Sequence, residues 1–200
     1  MLRIRGVSIK SNKQLILHNC SCDISSQSII VAQNDINTKI LSLSLAGLQP
    51  VVEGEVFIDE NSLAVEQKKS KDIFFVITEN FHKLWKNYRL KDIYKVIKSK
   101  KQSTQLCKKY NISLEDTINS LSKFQQLVYL ISIGESLNRT IYIFDQPTKH
   151  LDYEELELFQ KFLKEDFKNM NYIIFTNRFG ELSSGQSVYQ IESKKLIVKS

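Results

Sequence analysis

Few side chains in this 200-residue sequence could do chemistry by type and spacing, and several familiar kinds of site drop out at once. The three histidines, His18, His82 and His150, lie far apart and share no ligand spacing, so a histidine-held metal is not expected. The three cysteines, Cys20, Cys22 and Cys107, make an odd number with no CxxC pair. Cys20 and Cys22 are two apart, which on a strand puts both on one face, and buried structural thiols account for them better than a metal site. At Asp145-Gln146 a carboxylate and an amide stand side by side after the apolar run Ile141 to Phe144. The carboxylate can serve as an acceptor, whereas the amide cannot take up a proton at neutral pH. Glycine is scarce, with only Gly6, Gly47, Gly54, Gly134, Gly180 and Gly185, and none between Ala32 and Ile40. Charge is uneven: nine lysines and Arg89 against Asp92 give +9 between Lys83 and Lys109, more than the +6 of the whole chain. That segment is either a face for an anionic neighbour or a solvated lysine-rich helix surface.

The elements that must position these groups alternate between strand and helix. Leu2 to Ile9 and Gln14 to Ile24 are β-branched and alternating, joined by the turn Ser11-Asn12-Lys13, and predict an antiparallel hairpin. Ser28 to Ala32 is a short continuous apolar run, the pattern of a strand buried on both faces, and Thr38 to Leu48 then carries leucines at helical spacing. Glu53 to Asp59 and Ile73 to Thr78 predict further strands. From about 80 to 138 strand runs are lacking, and helical periodicity is strongest over Leu121 to Leu137, which predicts a helical subdomain. Ile141 to Asp145 predicts a buried strand, Tyr153 to Phe167 an amphipathic helix, Tyr172 to Thr176 a strand, and Ser187 to Ile191 with Lys195 to Val198 a closing hairpin. With 42% apolar residues the chain can bury a sizeable core. Its longest uncharged stretch, Ile40 to Val52, is 13 residues, short of the roughly 18 to 20 needed to cross a bilayer. MLRIRGVSIK has no apolar h-region or small-residue cleavage site, so a soluble chain on the reducing side of a membrane is expected.

A family resemblance begins at Ile141. The segment IYIFDQPTKHLD, Ile141 to Asp152, resembles the Walker B strand and D-loop of ATP-binding-cassette (ABC) ATPases, four apolar residues followed by D-E-P-T and x-x-L-D, with only the Glu changed. Twenty-three residues before Asp145, Ser122 lies in Leu121-Ser122-Lys123-Phe124-Gln125, where that family carries L-S-G-G-Q. Ser28 to Leu48 resembles the family's strand, phosphate loop and helix, anchored by Leu45-Ala46-Gly47-Leu48 and by Glu53 to Val56. The resemblance covers essentially the whole chain in the right order. It implies an α/β fold: one P-loop NTPase domain of ABC type over residues 1–200, with an antiparallel β subdomain at the N-terminus and a helical subdomain at about 80–138.

The departures from the family all concern chemistry. A phosphate loop needs glycines so that successive N–H groups can aim at phosphate oxygens, with a lysine reaching the outer phosphates. Here AQNDINTKI, Ala32 to Ile40, fills that slot without a glycine. Asp35 lies where a glycine would approach phosphate, Thr38 takes the lysine position, and Lys39 comes one residue late. A one-residue deletion restores Lys39 to its slot but puts Ile40 in place of the magnesium-binding Ser/Thr. Asn34, Thr38 and Lys39 are what this loop offers a nucleotide. Asp145 keeps the carboxylate that in the family holds magnesium through water, while Gln146 stands in the general-base Glu slot and Asn177 in the histidine slot. No Gln lies near Thr78. Leu121, Ser122 and Gln125 remain of the signature, but both its glycines are replaced. The first hairpin has no aromatic to stack adenine, the first aromatic being Phe57. Leu182 to Gln186, LSSGQ, resembles the signature more closely but follows the Walker B segment and precedes a terminal strand, so a turn is expected there.

Phe81, Leu84, Trp85, Tyr88, Leu90 and Tyr94 concentrate large apolar groups where the resemblance places the groove for a membrane subunit's coupling helix. A well-filled subdomain core would give the same composition. Together these features imply a degenerate cassette subunit: a pseudo-ATPase with weak or no hydrolysis and no bound cofactor, docking on a membrane permease or larger membrane complex through the Phe81, Trp85 and Tyr88 region. A second ABC ATPase is a further implied partner. The compact length is similar to the haem-exporter subunits of cytochrome c maturation, and implies a peripheral position on the cytoplasmic or mitochondrial-matrix face of an inner membrane. Two alternatives stand beside this: a diverged but working exporter ATPase that binds MgATP, its site completed by a partner, and a nucleic-acid-binding protein using the basic face. The latter lacks an interleaved aromatic platform, so nucleic acid is the weaker expectation.

Overall fold

The computed structural model describes residues 2–12, 14–33, 36–58, 61–62, 73–77, 85, 87–97, 104–178 and 186–199. The chain divides into two compact units: residues 1–75, 141–146 and 170–200 form the first, and 76–140 with 147–169 the second.

The first unit is built from strands. β1 (Leu2–Ser11) and β2 (Gln14–Ile24) form the expected antiparallel hairpin, and β4 (Glu53–Ile58) and β5 (Asn61–Ser62) extend it to a four-stranded sheet in the order β2-β1-β4-β5. The second sheet has the order β10-β9-β3-β8-β7-β6, from β3 (Ser28–Val31), β6 (Ile73–Ile77), β7 (Ile141–Asp145), β8 (Asn171–Thr176), β9 (Ser187–Glu192) and β10 (Lys195–Lys199). β3 pairs in parallel with both β8 and β9, and β7 pairs in parallel with β8. SIIV and IYIF are buried throughout, as expected for central strands covered on both faces. One core joins the two sheets: Ile4, Val7 and Leu17 of the antiparallel sheet lie in a cluster with Ile30, Ile143 and Phe175 of the parallel one.

α1 (Thr38–Leu45) adds Leu41 and Leu45 to this core. It ends three residues earlier than the leucine spacing predicts because Gly47 adopts a left-handed φ of +70°. Leu48 N–H then donates to Leu43 O at 2.9 Å and Gly47 N–H to Ser44 O at 3.1 Å, the paired bonds of a glycine-terminated helix. Gly54, at φ +78°, lies where β4 crosses β1, and a Cβ there would meet the Gly6 carbonyl at 2.4 Å.

The second unit is helical. It holds α2 (Leu90–Val96), α3 (Gln105–Lys109), a 3-10 turn (Ile118–Ser120), α4 (Lys123–Ser136) and α5 (Tyr153–Glu165). α4 starts two residues later than the periodicity predicts, because Ser122 is its extended N-cap at ψ 164° and Leu121 is also extended. Phe124 and Phe162 pack with Tyr110, with ring centroids 5.2 and 5.9 Å from the tyrosine, while Tyr94 and Tyr129 meet edge to face at 5.7 Å. The Tyr94 hydroxyl meets Ser132 Oγ at 2.6 Å and Tyr129 donates to Leu90 O at 2.7 Å, so these buried phenols are satisfied. Among the described residues, no helix is long and apolar enough to cross a membrane.

Candidate functional site

In an open parallel sheet the carboxyl ends of adjacent strands converge, and loops leaving them form the usual ligand site. The neighbouring strands β3, β8 and β7 end here at Val31, Thr176 and Asp145. Backbone bonds carry the ladder one step further: Ala32 N–H donates to Thr176 O at 2.9 Å and Gln146 N–H to Phe175 O at 2.8 Å. Three residues singled out in the sequence, Thr38, Gln146 and Asn177, are thereby brought together.

They bond to one another. Gln146 Nε2 donates to Thr38 Oγ1 at 2.7 Å and to Asn177 Oδ1 at 2.5 Å. Asn177 Nδ2 in turn donates to the carbonyls of Ala32 at 3.2 Å and Gln33 at 2.9 Å. Thr38 is buried at the start of α1, and Asn37 caps that helix by accepting from Ile40 N–H at 3.2 Å. The network therefore links the end of β3, the end of β8, the first residue of α1 and the residue after β7. Gln146 sits at φ +47°, a left-handed conformation that costs a non-glycine residue about 1–2 kcal/mol. Its backbone bond and two side-chain bonds hold it there.

The other predicted residues are placed as follows. Asp145 ends β7 half-buried, Lys39 is exposed on α1, and Asn34 and Asp35 lie outside the described residues. Leu121, Ser122 and Gln125 belong to the second unit, where Ser122 and Gln125 form a capping box: Gln125 N–H donates to Ser122 Oγ at 3.2 Å and Ser122 N–H to Gln125 Oε1 at 3.1 Å. Trp85 is half-buried and meets the exposed Tyr88 edge to face at 5.4 Å, while Phe81 falls outside the described residues. So do residues 182–185 of LSSGQ; Gln186 donates to the Tyr172 hydroxyl at 3.0 Å. Cys20 and Cys107 are buried, and Cys22 is half-buried with its thiol pushed up by burial. Among the described residues, no group of three or more His, Cys, Asp and Glu is placed to hold a metal ion.

The described part of the basic segment carries intrachain ion pairs. Arg89 and Lys91 both meet Glu115, at 3.0 and 2.6 Å, Lys95 pairs with Asp92 at 2.8 Å, and Lys109 pairs with Asp166 at 2.5 Å. Four of its described cations are thus matched by acids, two of which lie outside the segment and escape a local charge count.

One residue of interest was not singled out in the sequence. Glu155, in the first turn of α5, accepts from Phe124 N–H at 3.1 Å at the start of α4. The D-x-x-E pattern of Asp152 to Glu155 signals a helix start, but gives no hint that the carboxylate serves a second helix.

The sequence matches no model of a known protein family, and no curated protein sequence matches it. Solved structures do match. CbiO1 from Clostridium perfringens, described as part of the ABC transporter complex CbiONQ, is 18% identical over 98% of this chain and 86% of its own, with a TM-score of 0.81. The ATP-binding cassette MJ0796, in a dimeric post-hydrolysis state bound to ADP and Pi, is 19% identical over 100% of this chain and 98% of its own, with a TM-score of 0.76. A nucleotide-free ATP-binding cassette from an ABC transporter gives 0.78 at 13% identity, over 98% and 89%. The fold is therefore that of an ABC ATP-binding cassette, a P-loop α/β domain with an antiparallel sheet and helices.

Proposed function

We propose that this chain is a degenerate ATP-binding-cassette subunit that keeps the fold for assembly and has lost hydrolysis. The observation that carries this is the bonding of Gln146, Thr38 and Asn177 to one another. In a working site such positions would present a general base and phosphate contacts; here the Gln146 Nε2 donors engage Thr38 Oγ1 and Asn177 Oδ1 within the chain, and the amide of Gln146 cannot accept a water proton. Lys39 is exposed, and the Asn177 amide donates to the Ala32 and Gln33 carbonyls, which supports a reading in which this loop does not serve a nucleotide. The role we assign is peripheral: docking on a membrane permease or membrane complex, on the cytoplasmic or mitochondrial-matrix face, with the Trp85 and Tyr88 surface as the contact and a second cassette as a further partner. The compact haem-exporter type is the subfamily to test first. Intrachain ion pairs at Arg89, Lys91, Lys95 and Lys109 argue against nucleic acid as the partner.

The retained Asp145 favours a second reading, a working ATPase completed by a partner, in which Asp145, Thr38 and Lys39 would hold MgATP. Thermal unfolding separates the two. Nucleotide at 100 times its Kd would stabilise a binding chain by about 2.7 kcal/mol. We expect no shift with MgATP; a clear shift that Lys39→Ala abolishes would overturn the pseudo-ATPase reading. A mild-detergent pull-down identified by mass spectrometry tests the partner, with an ABC permease as the expected prey and a stable complex lacking one as the contrary result.

A further inference from the structure

A strand at the edge of a sheet presents main-chain N–H and C=O groups that can pair with another chain, and proteins guard such edges by covering them or by setting lysines along them. β10 ends the six-stranded sheet, with β9 on one side and, among the described residues, no further strand in its ladder on the other. β2 covers the start of that open side: His18 N–H donates to Lys194 O at 3.0 Å, and Leu196 N–H donates to Cys20 Sγ at 3.3 Å. Leu196 thus turns its N–H away from β9. Ladder bonds alternate along an antiparallel strand, so Val198 also turns its N–H and C=O outward, while those of Ile197 and Lys199 face β9. Past Leu196 the strand is open, with Ile197 41% and Val198 60% exposed. The lysines flanking this stretch are drawn back onto their own chain: Lys199 pairs with Glu192 at 2.5 Å, and Lys195 donates to Asn19 O.

We propose that residues 197–199 of β10 pair with the same edge of a second copy of this chain, joining the two sheets across a two-fold axis at Val198. The register follows from the groups on the edge. Antiparallel pairing about Val198 lets each Val198 N–H donate to the other copy's Val198 carbonyl, and it sets Lys199 opposite Ile197, where the lysine stem lies against an apolar side chain. Pairing about Ile197 would need the Leu196 N–H that Cys20 already takes, and would oppose Lys195 and Lys199 as like charges. The edge therefore fits itself in one register. Because Lys199 is neutralised by Glu192, an acidic strand gains little there by comparison. This contact needs neither nucleotide nor a membrane subunit.

The test is sedimentation of the full chain without nucleotide, from micromolar to millimolar concentration, with amide exchange followed on the same samples. The wild type should form a reversible dimer as concentration rises, with Val198 exchange slowing in step and Ile197, bonded to β9, unchanged. Val198→Pro removes the outward donor at a position where an edge strand tolerates proline, and the loss of two main-chain bonds should weaken association about tenfold or more. Val198→Lys keeps the N–H but opposes like charges at the two-fold and should also yield monomer, so the result does not depend on the proline variant folding. Val198→Thr keeps both donor and strand propensity and should still dimerise. A wild type that stays monomeric throughout, as an edge serving some other strand would, overturns the proposal. So does a dimer that survives Val198→Lys or leaves Val198 exchange unchanged. A monomeric chain leaves the pseudo-ATPase reading intact, and an MgATP shift leaves the edge pairing intact, so either idea can fail while the other stands.

Discussion

Placing a carboxylate at position 146 should destabilise this protein. Gln146→Glu removes both N–H donors of Nε2. The Thr38 hydroxyl can rotate and donate to the new carboxylate, so the 2.7 Å contact can be kept. Asn177 has no such escape. Its Oδ1, 2.5 Å from Nε2, would face a carboxylate oxygen, and turning the amide over would withdraw Nδ2 from the Ala32 and Gln33 carbonyls. Either outcome loses at least one bond and leaves acceptors facing each other or unsatisfied. With about 1 kcal/mol for a lost bond and about 1–3 kcal/mol for a stranded acceptor, the expected cost is about 2–4 kcal/mol. For a chain of this size that is a fall in Tm of roughly 4–16 °C, measured by calorimetry. Two companions sharpen the test. Gln146→Ala loses both side-chain bonds and keeps the φ of +47°, whereas Gln146→Gly loses the same bonds but relieves the backbone, so it should be about 1 kcal/mol more stable than the alanine variant. A Glu variant as stable as wild type, or one that gains ATP turnover, would refute the reasoning.

The two glycines kept for the fold should differ in their response to alanine. Gly47→Ala pays only the left-handed φ at the end of α1, about 1 kcal/mol, whereas Gly54→Ala also drives a Cβ to 2.4 Å from the Gly6 backbone; denaturant unfolding should show the second as much the larger loss. The Asp166 carboxyl is pushed up by burial, but hydrogen bonds from Lys109 and Tyr110 outweigh this and hold it below the usual carboxylate range. A depressed carboxylate contributes stability that is present at neutral pH, above its unfolded value, and is lost as pH falls through its folded value. Tyr110→Phe keeps the aromatic contacts and removes one donor, so unfolding free energies from about pH 7 downward should show a shallower acid decline than in the wild type. Equal slopes would show that the tyrosine does not stabilise the charged carboxyl.

Most of the first unit was legible from periodicity. SIIV and IYIFD read as buried strands because a continuous apolar run has few other homes, and the β1-β2 hairpin follows from alternation on either side of a turn. Helix ends were less legible: α1 stops at Leu45 although its leucines continue to Leu48, since the left-handed φ of Gly47 overrides the pattern. The pairing of the basic segment's described cations was illegible for a related reason. A sum over neighbours in sequence cannot register Glu115 or Asp166, which reach it only through folding.

At the site the division is sharper. Residue types alone establish that the amide of Gln146 follows the carboxylate of Asp145 and that no glycine lies between Ala32 and Ile40, because those facts concern chemical groups and their order along the chain. That Gln146, Thr38 and Asn177 satisfy one another, and that Glu155 reaches Phe124, could not be read there. These partners lie 108, 31 and 31 residues apart, and hydrogen bonds extend only about 3 Å, so parallel pairing of β3, β8 and β7 in one unit and packing of α4 beside α5 in the other must first bring the groups within reach.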